Sequence, residues 1–559
     1  MRDCKKLLFG CLFLISGLSS LQAQGEKDVL LKAMEDEMSR SMSELVLEDH
    51  DRPFFISYSA FDTKGLGVSA SLGSLNSSDF SPNRTGSVRL IVGDYDFNDE
   101  SFASQMDMGF GGSPNMDFMP RGMPIEDDYN GIRRYFWNST EDIYRRAAKS
   151  FKGHKTKLKK EAKSIEDTPH LIFSKVPVVS YQSPEVKVNW DRKAIEDRAR
   201  KISAIFLEYP EVENSSVYMS AYHSKEYFIS SEGTRIVEEE AGATLNISIS
   251  ASMAPGLYNP EFIRYEAATF EELPSDERIM ADILKTIEQL NKKEELDQFE
   301  DSYEGPVLFY DKSVANLFAM QFVSSLNASQ TATIEEETGF RNRSKELDHK
   351  VGKRVTSRDL TVSVLPGVQT YKGEKMKGAY RYDHEGVKAT DSLMLIEKGY
   401  LKELMRTRVV LKGSPGPNGT GMGAGVLSVI SHNTQTDEEL KQQLIELAED
   451  EGLEYALIVR ELSFRGRGVN VYKVSLEDGS ETLLQSASLS DLDFNSFRKV
   501  GGTSPDRTVH HLPDPFNGRT VSIVSPRVLL LEDVEVESFQ NYGTRKTKEP
   551  LVKNPLIKE

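Results

Sequence analysis

Beyond residue 25 the apolar positions recur every three or four residues. Leu30, Met34, Met38, Met42 and Leu45 form one stripe, which predicts an amphipathic helix over Glu26 to Leu47. The period then shortens: Pro53 to Phe61 and Ser87 to Tyr95 alternate or run apolar, as strands do, with turn-rich sequence between them. A Gly/Met/Pro-rich loop is expected from Phe102 to Pro124, then a helix from Asp127 through Lys163. A proline-punctuated connection, Pro169 to Pro184, leads to a helix over Asp191 to Leu207. Strands follow at Val217 to Tyr222, Glu226 to Ser230 and Thr244 to Ser252, with a turn at Ser231 to Thr234. Pro274 opens a helix whose Ile279, Ile283, Ile287 and Leu290 share a face, and the charged run Asn291 to Asp301 reads as a domain boundary. Later segments such as Thr361 to Leu365 and Val469 to Val474 are short strands, interrupted by one helix, Asp437 to Asp450, which Gly452 stops. Strands in blocks apart from helices predict an α+β fold. The expected units are a mixed α/β domain over 24–290, a β-rich domain over 291–545 and a lysine-rich tail over 546–559.

The first residues change the compartment expected. Arg2, Lys5 and Lys6 precede an apolar run, Leu7 to Leu18, and Leu21-Gln22-Ala23 supplies small-residue cleavage chemistry. This is the layout of a secretory signal peptide over 1–23, so a periplasmic or secreted protein is expected. No later stretch approaches the roughly 20 apolar residues of a membrane helix, so no membrane span is expected. Both cysteines, Cys4 and Cys11, lie in that leader, and its removal leaves neither disulfide nor thiolate ligand.

Charge removes another class. The chain carries 69 Lys and Arg against 87 Asp and Glu, a net charge of −18. Nucleic-acid binders are usually basic because neutralising phosphates drives affinity, so no nucleic-acid partner is expected. The basic cluster Lys149 to Lys163 reads as the solvated face of a helix. None of the nine histidines has a second at the i+4 spacing that puts two imidazoles on one helix face. His384-Glu385 is the sole His-Glu pair, and Asp383 and Glu385 read as turn or strand-edge polar groups. On a strand the side chains of His510-His511 would point apart, and a solvated loop is the better reading. There is no Gly-x-Ser-x-Gly elbow, and Gly419-Thr-Gly-Met-Gly-Ala-Gly425 lacks the Lys-Ser/Thr end of a P-loop.

Several segments in order resemble the TldD/PmbA family, also known as modulators of DNA gyrase. They are Ser87 to Asp96; Met123 to Ala148 with Arg133-Arg-Tyr-Phe-Trp137; Phe228-Ile-Ser-Ser-Glu-Gly-Thr234; and Tyr303-Glu-Gly-Pro-Val-Leu-Phe309. Gly378-Ala-Tyr-Arg-Tyr-Asp-His-Glu-Gly-Val387 and Leu395 to Lys402 follow, then the Gly-rich Pro415 to Gly423 and the closing Val521 to Val536. The resemblance implies an N-terminal α/β domain with a β-rich C-terminal domain, and a metallopeptidase setting. Zinc-bearing TldD-type subunits carry His-Glu, three residues, then His after their "V-L-L" strand, and a later cysteine. Two imidazoles hold Zn²⁺ there, and the carboxylate takes a proton from metal-bound water.

Here the corresponding positions hold Tyr310, Asp311 and Ala315, and no cysteine remains outside the leader. The resemblance is therefore to the PmbA-type subunit, which implies no metal or cofactor in this chain and zinc only in a partner. The implied partners are a TldD-like subunit or a second copy, with a polypeptide substrate. Gly419, Gly421 and Gly423 mark a candidate substrate-gating loop. Two alternatives stay open: an autonomous peptidase with an unrecognised site, and an exported peptide-binding protein without catalysis. The gyrase association fits poorly with export.

Overall fold

The computed structural model describes residues 28–102, 123–160, 170–251, 261–293, 299, 302–323, 325–328, 347–462, 467–484, 487–489, 492, 494–513, 519–538, 552 and 554–556. The expected leader lies outside these residues, as do 103–122 of the expected loop and most of the tail.

The chain opens with helix α1 (Val29–Glu44), whose first turn is capped by Asp28: its Oδ1 accepts the Leu31 N–H at 3.0 Å. Two 19-residue strands follow, β1 (Pro53–Ser71) and β2 (Ser74–Val92). They form one long hairpin where two short strands were expected. The Gly and Ser positions that read as turns are the outward half of a continuing alternation. Leu66, Val68 and Ala70 point inward and are buried, while Gly65, Gly67 and Ser69 point outward. The real turn is Leu72-Gly73, both at positive φ.

Helix α2 (Tyr129–Lys160), strands β3 (Leu171–Phe173) and β4 (Ser180–Gln182), and helix α3 (Arg192–Ser203) come next. Then β5 (Val212–Ser230) and β6 (Arg235–Ala251) make a second long hairpin, again joining segments expected to be separate. Strand β7 (Glu261–Ala267) and helix α4 (Asp276–Lys293) complete the unit. The sheet runs β2-β1-β5-β6-β4 with β7 added to β6. The helices collect on one face. Tyr58, Ala60 and Leu90 pack against α1 and α2, and Val68, Met219 and Leu245 pack against α3 and α4.

The C-terminal unit starts with β8 (Tyr303–Tyr310) and α5 (Lys312–Phe318), then β9 (Leu360–Val364), the short hairpin β10 (Thr370–Tyr371) and β11 (Glu374–Lys375), β12 (Leu393–Glu397), β13 (Tyr400–Leu401), β14 (Val409–Leu411) and β15 (Val426–Ser431). Helix α6 (Asp437–Asp450) has the expected bounds: Thr436 and Glu439 form a capping box, and Gly452 ends it at φ +72°. The remaining strands are β16 (Tyr455–Glu461), β17 (Arg467–Ser475), β18 (Glu481–Leu483), β19 (Ala487–Leu489), β20 (Val500–Thr503), β21 (Arg507–Pro513), β22 (Thr520–Pro526) and β23 (Val528–Ser538).

One sheet has the order β13-β12-β9-β15-β22-β21. The other runs β16-β8-β23-β19-β17, and β16 also pairs with β17, which closes it on itself. Helix α5 and the residues after it supply Val314, Leu317, Phe318 and Phe322 to one core shared by both sheets. The fold is α+β with a β-rich C-terminal region, as expected. The two units are also sewn together, because β3 from the N-terminal unit pairs antiparallel with β14.

Candidate functional site

The motif positions lie where β8 turns into α5. Tyr310 is buried with its ring 4.8 Å under the Arg460 guanidinium, and burial pushes its hydroxyl up to about 12, so it stays a neutral phenol. Ala315 is fully buried in the core shared by the two sheets and carries no ligand atom. Asp311 alone faces solvent. Its backbone sits at φ +48° and ψ −117°, a conformation that an L side chain enters only under strain, and its N–H donates to the Arg527 carbonyl at 2.6 Å. A zinc ion needs three or four N, S or O ligands converging at about 2 Å. One exposed carboxylate beside a buried phenol and an alanine does not fit that requirement. Among the described residues no group of three or more His, Cys, Asp or Glu is placed to hold a metal.

Asp311 has a neighbour that sequence reasoning missed. His510 and His511 lie on strand β21, not in a loop, and their side chains leave opposite faces. Burial lowers the His510 pKa, Asp311 opposes that shift, and its Nε2 is buried without a hydrogen-bond partner. His511 hydrogen-bonds Ser522 at 2.9 Å, and burial, with Lys377 nearby, lowers it to about 4. Strand β21 is terminal in its sheet and packs against α5, which brings His510 near the Asp311 turn.

The helix-free face of the N-terminal sheet meets the C-terminal unit through ion pairs. Arg519 reaches Glu226 at 3.7 Å and Lys377 reaches Glu266 at 3.2 Å. Burial raises Glu226, and burial with Glu226 beside it pushes Glu238 up to about 7. His384 lies nearby, exposed to solvent yet close to Glu385, Arg89 and Arg519, and desolvation lowers its pKa.

The units are also locked by buried charges. Arg89 on β2 pairs with Glu100 at 2.8 Å and with Glu385 of the C-terminal unit. The second Glu385 oxygen accepts the Arg408 N–H at 2.6 Å, and the Arg408 guanidinium holds Glu232 through two 2.8 Å bonds. Phe173 is wedged between both guanidinium groups, 4.0 Å from Arg408 and 5.2 Å from Arg89. Asp383 accepts the N–H groups of Glu385, Val387 and Gly421. Burial and the adjacent Glu385 raise Asp383 to about 7, while Arg89 holds Glu385 below its ordinary value against the cost of burial. The reading of Asp383 and Glu385 as turn polar groups thus missed a joint between the units. Their partner Arg89 lies nearly 300 positions away, and a buried carboxylate needs such a partner.

The glycine-rich segment backs the same joint. A Cβ on Gly421 would lie 2.3 Å from the Asp383 carboxylate, and one on Gly419 would lie 2.4 Å from the Lys388 carbonyl. The Gly423 carbonyl accepts the Tyr380 hydroxyl at 2.8 Å. These glycines permit close backbone approach to residues 380–388.

Residues 302–536 match the PmbA/TldA metallopeptidase C-terminal domain. Among curated proteins no sequence matches the chain. Three solved structures share its fold. A candidate modulator of a DNA gyrase from Thermotoga maritima is 16% identical with TM-score 0.54, over 86% of this chain and 96% of that one. A candidate modulator of DNA gyrase from Bacteroides thetaiotaomicron is 13% identical with TM-score 0.56, over 91% and 98%. TldE from Thermococcus kodakarensis is 13% identical with TM-score 0.51, over 90% and 100%. The chain thus carries a PmbA/TldA metallopeptidase C-terminal domain over residues 302–536 and shares the fold of these three structures over most of its length.

Proposed function

We propose that this chain is an exported, metal-free subunit of a zinc peptidase that acts on extended or unfolded polypeptide, the metal being carried by a TldD-like partner. The observation that carries the reading is the motif turn, where Asp311 is the one solvent-facing group and Ala315 is sealed in the core. Its hydrolytic step therefore belongs to the partner's site. This chain's contribution is polypeptide capture: the terminal strand β21 can take an added strand, whose backbone hydrogen bonds give affinity tolerant of sequence. His384 and Glu238 both lie near Arg519, and Asp311 lies near His510 on β21, so these groups set the polarity around that strand.

One preparation tests the reading. The mature form, beginning near Gln24 and recovered outside the cytoplasm, should hold well under one zinc per chain by elemental analysis. It should cleave no unfolded peptide alone, and cleave only when a subunit with the full His-Glu-x-x-x-His motif is added. Asp311→Asn should then change the rate little. A second reading, an autonomous hydrolase, draws on the strained Asp311 near the unpartnered His510 nitrogen. Cleavage by the isolated chain, abolished by Asp311→Asn, would establish it and overturn the first.

A further inference from the structure

We infer that the recess between α1 and α2 is a binding site for a phosphate monoester, a site with no part in the peptidase reading. Both helices turn a polar stripe toward it. On α2, Asn130, Arg133, Arg134 and Trp137 follow one another at three- and four-residue spacing and so share a face. On α1, Glu37 and Arg40 are one turn apart. These six residues line an open recess of about 170 Å³. It is smaller than the roughly 300 Å³ at which pockets for drug-sized ligands begin, so its occupant is compact.

One buried carboxylate builds the site. Glu37 is 1% exposed and pairs with two arginines at once. Arg40 donates to both of its oxygens, and Arg133 reaches Oε2 through Nε at 3.1 Å and through a terminal nitrogen at 3.0 Å. A guanidinium carries five N–H donors in a rigid plane, so each arginine keeps donors that Glu37 does not use. The Tyr129 ring, 5.5 Å from the Arg133 guanidinium, steadies it further. Two fixed cations thus share one negative charge. Arg134 brings a third, exposed and without an ion pair among the described residues.

Charge selects the occupant. Three arginines against Glu37 leave the lining at +2, on a chain of net charge −18. The carboxylates at its margin are engaged elsewhere or far in solvent. Asp36 is held by Lys32 at 2.6 Å and by the Tyr129 hydroxyl at 2.7 Å. Asp128 is set against the positive end of α2, whose Gly131 N–H it accepts at 2.8 Å. Glu44 stands 3.7 Å from Arg40 with 68% of its side chain exposed, and counting it still leaves a positive recess. A phosphate monoester carries nearly two negative charges and three acceptor oxygens at neutral pH, which suits three guanidinium groups. A carboxylate offers one charge and two oxygens, a poorer match. Trp137, 39% exposed, adds an aromatic face for the body that the phosphate is attached to.

Isothermal titration of the mature chain with phenyl phosphate tests the inference. Saturable binding is expected, weakening as salt is raised. Arg134→Met, at a guanidinium paired to no described residue, should weaken it by at least about tenfold with unchanged circular dichroism, as loss of one charged donor does. Trp137→Ala should weaken phenyl phosphate by about fivefold and leave inorganic phosphate unaffected. Phenylacetate should bind less tightly than phenyl phosphate. Vesicles of phosphatidylcholine with and without phosphatidate then identify the source of the monoester. Phosphatidate-dependent retention that Arg134→Met removes assigns a lipid headgroup, and phenyl phosphate binding without retention assigns a soluble ester. Neither binding nor retention overturns the inference. So does binding of either probe that is indifferent to Arg134→Met, or phenylacetate proving the tighter ligand.

Discussion

The helix-free face of the N-terminal sheet is one surface with two ends, and they are built on opposite principles. At the inner end Arg89 leaves the sheet into a dry joint, paired to Glu100 and Glu385, with Arg408, Glu232 and Phe173 behind it. At the outer end the same alternation presents Gly67, Tyr218 and Phe262 to solvent. Period-two patterning sends residues to this face along both halves and says nothing about what meets them. Buried charge suits a permanent contact, because removing one partner leaves the other uncompensated in a low dielectric. Exposed aromatics need no such partner, since apolar atoms make up much of any folded surface.

The comparison breaks first at the joint. Glu385→Ala removes the acceptor shared by Arg89 and the Arg408 N–H, and should cost about 3–5 kcal/mol of stability in denaturant titration. Tyr218→Ser at the open end should cost under about 0.5 kcal/mol, as a surface change does. Equal costs would erase the distinction between the ends.

Protonation sharpens it. The folded pKa of Asp383 is raised from 3.8 to about 7, so the native state holds a proton that the unfolded chain releases. Stability from this group is complete below pH 4 and falls as pH rises toward 7. Asp383→Asn cannot titrate. Its melting temperature relative to wild type should therefore climb between pH 4 and 7, and a flat difference would mean that Asp383 is not buried against Glu385. Glu385 works in the opposite sense: its lowered pKa gives stability above its ordinary value that is lost only in stronger acid.

A smaller effect than at the joint lies at the motif turn, away from both ends. Asp311→Gly relieves a positive φ and should raise stability by about 1 kcal/mol, or roughly 2 °C in melting temperature. A drop instead would mean that the exposed carboxylate makes contacts worth more than the strain.

Much of the fold was legible in the sequence. The α1 stripe, the Ile279-to-Leu290 helix face and the α6 capping residues are local signals, in which a residue's neighbours three or four positions away settle its conformation. Which side chains stand at the motif positions, Tyr310, Asp311 and Ala315, was legible too, because residue identities are covalent facts. The long hairpins were not: outward Gly and Ser imitate turns when a strand's other face is read alone. The strand position of His510, the burial of Asp383 and Glu385, and the use of Gly421 to approach Asp383 were likewise hidden. Each depends on a partner tens to hundreds of residues away, such as Arg89 for Glu385. Sequence determined which groups this protein owns and which short elements they prefer, because those follow from local sterics and periodicity. Tertiary structure alone decided which carboxylates lie dry and which aromatics lie wet, since desolvation belongs to the assembled surface and not to any residue.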